Sequence, residues 1–115
     1  MQTSEFDLVC SRMNAASLVI QWKDSHVWKV GGKMFAVAWG RAPVFACSVK
    51  ASEMARLAYA GQSGIIPAPY HARAGWLHIT DGALPDSDIA DMIRVSHHLV
   101  VAGLSKTLRG ELGLP

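Results

Sequence analysis

Read for hydrophobic and polar positions, the chain divides into short segments with two different periods. Phe6, Leu8, Val9 and Met13 recur at helical spacing behind Thr3 and Ser4, which can cap a helix start, with Glu5 and Asp7 in the first turn. Asn14 breaks that pattern. The run SLVIQW (17–22) is apolar and β-branched and predicts a strand, followed by a turn at 23–25. His26–Val30 and Lys33–Trp39 then flank Gly31-Gly32, a two-residue loop of the kind that primed hairpin turns require. With that loop, Val30 faces Lys33, Lys29 faces Met34, Trp28 faces Phe35, Val27 faces Ala36 and His26 faces Val37. Trp28, Val30, Phe35 and Val37 are thereby expected on one core face.

A turn at 40–43 precedes another strand, VFACSVK (44–50). Ser52 can cap a helix with Glu53 in its first turn and Met54, Leu57 and Ala58 as its apolar stripe, closed by Gly61. Two prolines make GIIPAPYHARAG (64–75) extended rather than helical. WLHIT (76–80) alternates as a strand. Asp86 is placed to cap a long helix with Ile89, Met92, Ile93, Ser96, Val100 and Leu104 as its stripe, and a short helix through Lys106–Leu112 follows. The order α-β-β-β-β-α-β-α, with tight turns between strands, predicts an α+β two-layer sandwich: an antiparallel sheet with helices on one face.

Size and composition narrow this picture. At 115 residues, half hydrophobic and 17% charged, the chain fits one domain, residues 1–115, with a packed core. The first ten residues carry Glu5 and Asp7 and no basic residue, unlike a secretory signal. No apolar run reaches the roughly 18 residues of a membrane span. Two cysteines, Cys10 and Cys47, are too few for a disulfide scaffold. A cytoplasmic protein is expected. Charge is unevenly distributed: residues 12–80 hold eight basic residues against two acidic, a balance of +6, while the remainder holds three against seven, or −4. Such a split permits a basic face that attracts polyanions.

Candidate chemistry is sparse. Gly32-Lys33 is followed by Met34, and Val27 stands where a phosphate loop needs its first glycine, so no nucleotide cradle is expected. His97 and His98 are adjacent on a helix and point about 100° apart. His71 and His78 have no Cys or carboxylate at ligand spacing, so no metal site is expected. No nucleophile elbow occurs; Ser96 reads as a packing or helix-bonding hydroxyl and Cys47 as a small buried hydrophobe. The chain is expected to be non-enzymatic and to need no cofactor. Aromatics interleave with basic residues at Trp22-Lys23, Trp28-Lys29, Lys33–Phe35, Trp39–Arg41 and Arg73–Trp76. Exposed, such pairs can stack on bases beside phosphates.

The motifs also resemble a known family. The hairpin Trp28–Ala36, Lys50–Ser52, Gly64–Tyr70, Trp76, and the set Ile93, Ser96, Leu99 and Val100 occur in the order and spacing of the MmcQ/YjbR family, across nearly the whole chain. That resemblance implies a CyaY-like fold and DNA binding through a double-wing arrangement of strands and turns. The chain departs from the family pattern at Ser96-His97, where Ser-Tyr is usual, and at RMNAAS (12–17), where Leu-Pro-Gly is usual. The acidic first helix with which frataxin relatives bind iron is missing, which argues against iron delivery.

Two readings follow. In the first, a basic hairpin surface contacts nucleic acid without sequence specificity, through Lys29, Lys33, Arg41, Lys50 and Arg73, with Lys23 as a weaker sixth. In the second, Pro67, Pro69, Tyr70 and Trp76 form a groove for a protein or small ligand. Oligomeric state is open at this level.

Overall fold

The computed structural model of the chain describes residues 1–39, 44–69 and 71–115. Its elements are α1 (Thr3–Ser11), β1 (Ala16–Gln21), β2 (Ser25–Val30), β3 (Lys33–Ala38), β4 (Ala46–Lys50), α2 (Glu53–Tyr59), β5 (Ile65–Pro67), a 3₁₀ turn (Ala72–Ala74), β6 (Trp76–Thr80), α3 (Asp86–Ala102) and α4 (Lys106–Glu111). The six strands form one sheet in the order β1-β2-β3-β4-β6-β5, every neighbour antiparallel. It is an α+β fold with α1 and α3 packed on one face, their Phe6, Cys10, Ile89 and Ile93 meeting Trp28, Phe35, Val49 and Ile79 in the main core. No helix among the described residues is long and apolar enough to cross a membrane.

Relative to the predicted order, the three-residue strand β5 is added inside the stretch read as extended, while α4 forms where a short helix was expected. β5 pairs through Ile65, Ile66 and Pro67, the last of which has no N–H to give to the ladder. The caps shift by a residue. Gln2 precedes α1, with the Glu5 carboxylate accepting from its N–H at 3.2 Å, and Pro85 rather than Asp86 precedes α3. Ser52 caps α2 as expected, its hydroxyl accepting from the Ala55 N–H at 3.1 Å.

The β2–β3 register differs from the simple hairpin. Val30 faces Lys33 and Lys29 faces Met34, but Trp28 faces Ala36, Val27 faces Val37 and His26 faces Ala38. A bulge at Phe35 causes the shift: one extra residue on β3 leaves Phe35 and Ala36 both turned into the main core and reverses the alternation beyond them. Val37 therefore points to the opposite, helix-free face. There it packs with Val27, Ala68 and Trp76, bordered by Met34 and Trp39.

The stripe expected on α2 also faces the other way. Met54 and Leu57 are 81% and 72% exposed, and no residue of α2 is fully buried. Ala55 and Tyr59 pack against the main core instead. With only seven residues, the helix has two turns in which to present a face, so one apolar pair suffices to anchor it.

Candidate nucleic-acid interface

The bulged hairpin, β4 and the start of β6 bring basic residues to one end of the sheet. Lys29 lies on the helix-free face directly opposite Met34. Gly31 and Gly32, at φ +58° and +79°, turn the chain so that Lys33 opens β3 beside them. Lys50 closes β4 opposite Trp76. Lys33, Met34, Lys50 and Trp76 line one depression of about 310 Å³ with Val100 of α3 and Gly103 just after it. Lys29, Lys33 and Lys50 thus share one end of the sheet. Among the described residues, no ion pair engages any of the three.

Arg73 sits exposed in the 3₁₀ turn. That turn is tied to the same end, because the Gly75 carbonyl accepts from the Ala51 N–H at 2.9 Å. Lys23 is not brought there. It lies in the β1–β2 turn at the other end of β2, about 20 Å from Lys33 at ~3.3 Å per strand residue. Arg41 and Tyr70 lie outside the described residues.

Three basic residues near this end were missed from the sequence. The Arg56 guanidinium approaches Gly75 closely enough that a Cβ there would meet it at 3.1 Å. Lys106 and Arg109 belong to α4, which rests on the hairpin tip: Leu104 and Leu108 crowd Gly31. Both were counted with the acidic remainder, because sequence segments carry no information about where α4 folds back. The field has a boundary. Lys50 also borders a depression of about 200 Å³ with Asp88 and Asp91, so the α3 side of the end is acidic.

Trp76 is buried between two depressions, so it shapes the site from beneath rather than offering a ring for stacking. Its second depression, about 420 Å³, is a groove between α2 and β5 lined by Arg56, Tyr59, Ile65, Ile66, Pro67 and Trp76. Pro69 is exposed and outside that lining. The groove is therefore built mainly from α2 and β5.

On the helix-free face, the Trp39 indole N–H donates to His78 Nδ1 at 3.2 Å, which makes that nitrogen an acceptor. The Ser48 hydroxyl, 3.0 Å away, donates to the same nitrogen. Burial holds the His78 pKa below its ordinary value. A serine this close to an imidazole has the distance of a nucleophile–base pair. Here Trp39 and Ser48 share the one lone pair and Ser48 is buried, so the trio pins β3, β4 and β6 together. Among the described residues, no three His, Cys, Asp or Glu side chains converge as metal ligands. Burial raises the thiol pKa of both free cysteines, that of Cys47 to about 12.

An antiparallel sheet with two helices on one face and a basic, bulged hairpin at its end defines a small α+β domain of the kind the sequence motifs implied. A family model described as YjbR matches residues 11–99, and the chain belongs to that family. No curated protein matches the chain. Among solved structures, protein DR2400 of Deinococcus radiodurans, with a domain classed as DUF419, is 26% identical with a TM-score of 0.84, over 99% of this chain and 89% of that one. A Pseudomonas syringae protein, structural-genomics target PsR293, shares the fold at 18% identity and a TM-score of 0.71, over 86% of this chain and 98% of that one.

The two segments read from the sequence as departing from the resemblance meet in space. His97 Nε2, on α3, donates to the Asn14 carbonyl at 2.8 Å, and its ring stands edge-on to Phe35 with centroids 5.1 Å apart. His97 and the 12–17 turn therefore form one contact, well removed in sequence but joined across the helical layer.

Proposed function

We propose that this protein binds nucleic acid without sequence specificity, through phosphate contacts at the basic end of the sheet, and that it acts as a binding protein rather than an enzyme. The observation that carries this reading is the pairing of Lys33 and Lys50 around one depression, with Lys29 opposite its Met34 and Arg73 on a turn tied to the same end. Flexible ammonium groups on a rigid sheet end suit phosphate contact, which requires charge and reach but no base-edge geometry. We place the protein in the cytoplasm, a reading that the two buried, unpaired thiols support.

Fluorescence-anisotropy titration of duplex and single-stranded DNA across salt tests this. On duplex DNA, four phosphate contacts give a slope of log K against log salt of about −3.6. The Lys29→Gln, Lys33→Gln, Lys50→Gln triple variant should lose most of that slope while keeping its far-UV circular dichroism. Absence of binding at low salt, or a slope the triple variant leaves unchanged, refutes the assignment.

The groove between α2 and β5 favours a second reading, a small-ligand or peptide site lined by Tyr59, Ile65, Ile66 and Pro67. Filling it with Ile66→Trp would abolish ligand-induced shifts of the Trp76 signal in NMR titrations against a fragment mixture. Shifts that persist in that variant argue against the groove.

A further inference from the structure

The two edges of the sheet are not alike. The β5 edge is three residues long and ends in proline, a protected edge. The β1 edge is six residues long, Ala16–Gln21, with no proline, no charge and an unbroken register against β2. Leu18, Val19 and Ile20 are 40%, 38% and 50% exposed, spread over both faces. Lysine, proline and bulges are the usual means of blocking an open edge. The bulge here lies one strand pair inward, between β2 and β3, and leaves β1 able to pair.

We propose that β1 pairs antiparallel with β1 of a second copy of this chain, forming a two-fold dimer with one continuous sheet. The occupant follows from self-complementarity. Ala16, Leu18 and Ile20 share the helix-bearing face, opposite Val30, Trp28 and His26, while Ser17, Val19 and Gln21 share the other. A two-fold axis normal to the sheet keeps each face on itself, so residues opposite each other across the new junction must come from the same set.

With Val19 on the axis, it meets Val19 of the partner subunit. Leu18 then meets Ile20 of the partner subunit, and Ser17 meets Gln21 of the partner subunit. Apolar faces apolar, polar faces polar, and no charge is set against another. Shifting the axis to Leu18 sets Val19 against Ser17 of the partner subunit. Shifting it to Ile20 sets Val19 against Gln21 of the partner subunit. Of these three registers only the Val19-centred one matches every pair, and it engages most of β1; a second copy supplies that match by symmetry alone.

Sedimentation velocity of the full chain over a wide concentration range tests the proposal. The expected result is a monomer–dimer equilibrium that Val19→Lys abolishes, since two ammonium groups would then face each other at the axis. Oxidation of Val19→Cys gives an independent readout. Opposed residues in an antiparallel pair have Cα atoms about 4.5–5.5 Å apart, within disulfide range. A disulfide-linked dimer should form with Val19→Cys and not with Ile66→Cys on the other edge, Cys10 and Cys47 being buried. The crosslink decides the matter if Val19→Lys does not fold. A chain that is monomeric at every concentration and gives no crosslink overturns the proposal. So does a dimer that survives Val19→Lys, or one crosslinked through Ile66→Cys.

Discussion

Ser96 does more than its place in a helical stripe indicates. Its hydroxyl accepts from the Lys50 N–H at 2.9 Å and donates to the Phe35 carbonyl, so α3 satisfies two backbone groups where the bulge interrupts β3. A helix-bonding serine would have turned to its own preceding turn. Ser96→Ala strands both groups in a fully buried setting, and the expected loss is about 2–3 kcal/mol in urea denaturation. Ala15 stands at φ +59° in the turn after α1, a conformation that glycine adopts freely and alanine does not. Ala15→Gly should leave stability unchanged or raise it by up to about 1 kcal/mol, against the usual cost of such a change. His78 gives a pH dependence. Burial holds its folded pKa below its unfolded value of about 6.5, so on acidification the unfolded chain takes up the proton first. Its contribution is fully present above about pH 6.5 and is lost as pH falls through the lower, folded value. Urea midpoints should fall between pH 7.5 and 5, and His78→Gln should flatten that fall.

At the scale of elements, the hairpin was legible because two glycines between apolar runs admit few geometries. Its register was not, because a bulge depends on how Phe35 fits beneath α3, and no local propensity encodes that fit. The same helical layer explains why Gly31 and Gly32 are unequal. Both have positive φ, but a Cβ on Gly31 would lie 2.7 Å from Leu104 Cδ1, whereas a Cβ on Gly32 meets nothing within 4 Å. Gly31→Ala should therefore cost about 1 kcal/mol more than Gly32→Ala, read as a difference in urea midpoint at constant m-value. α2 shows the limit of periodicity. Both Met54/Leu57 and Ala55/Tyr59 can form a stripe, and the connections to β4 and β5 select the second. Met54→Ser and Leu57→Ser are each expected to shift stability by no more than about 0.5 kcal/mol.

At the scale of the molecule, the Cα radius of gyration of 13.5 Å matches the ~13 Å expected for a compact domain of this length. Within it, charges close in sequence separate and distant ones converge. Lys23 and Lys29 are six residues apart yet sit toward opposite ends of β2, while Lys33 and Lys50 share a depression. The proposed interface makes this measurable. Lys33→Gln should reduce the salt slope of DNA binding by about 0.9, the loss of one phosphate contact. Lys23→Gln should leave the slope unchanged in the same titrations.

By itself, the sequence of this protein determined the α+β class, the antiparallel connections and most of the core. Those properties follow from hydrophobic period and turn chemistry, which act over a few residues. Family membership was legible for a related reason: ordered motifs such as Trp28–Ala36 and Gly64–Tyr70 are local patterns. Only the tertiary structure decided which face Val37 joins, which stripe of α2 is buried, that α4 clasps the hairpin tip, and which lysines gather at one end. Each of these depends on packing between segments far apart in the chain, where several local patterns compete and the buried contacts select one.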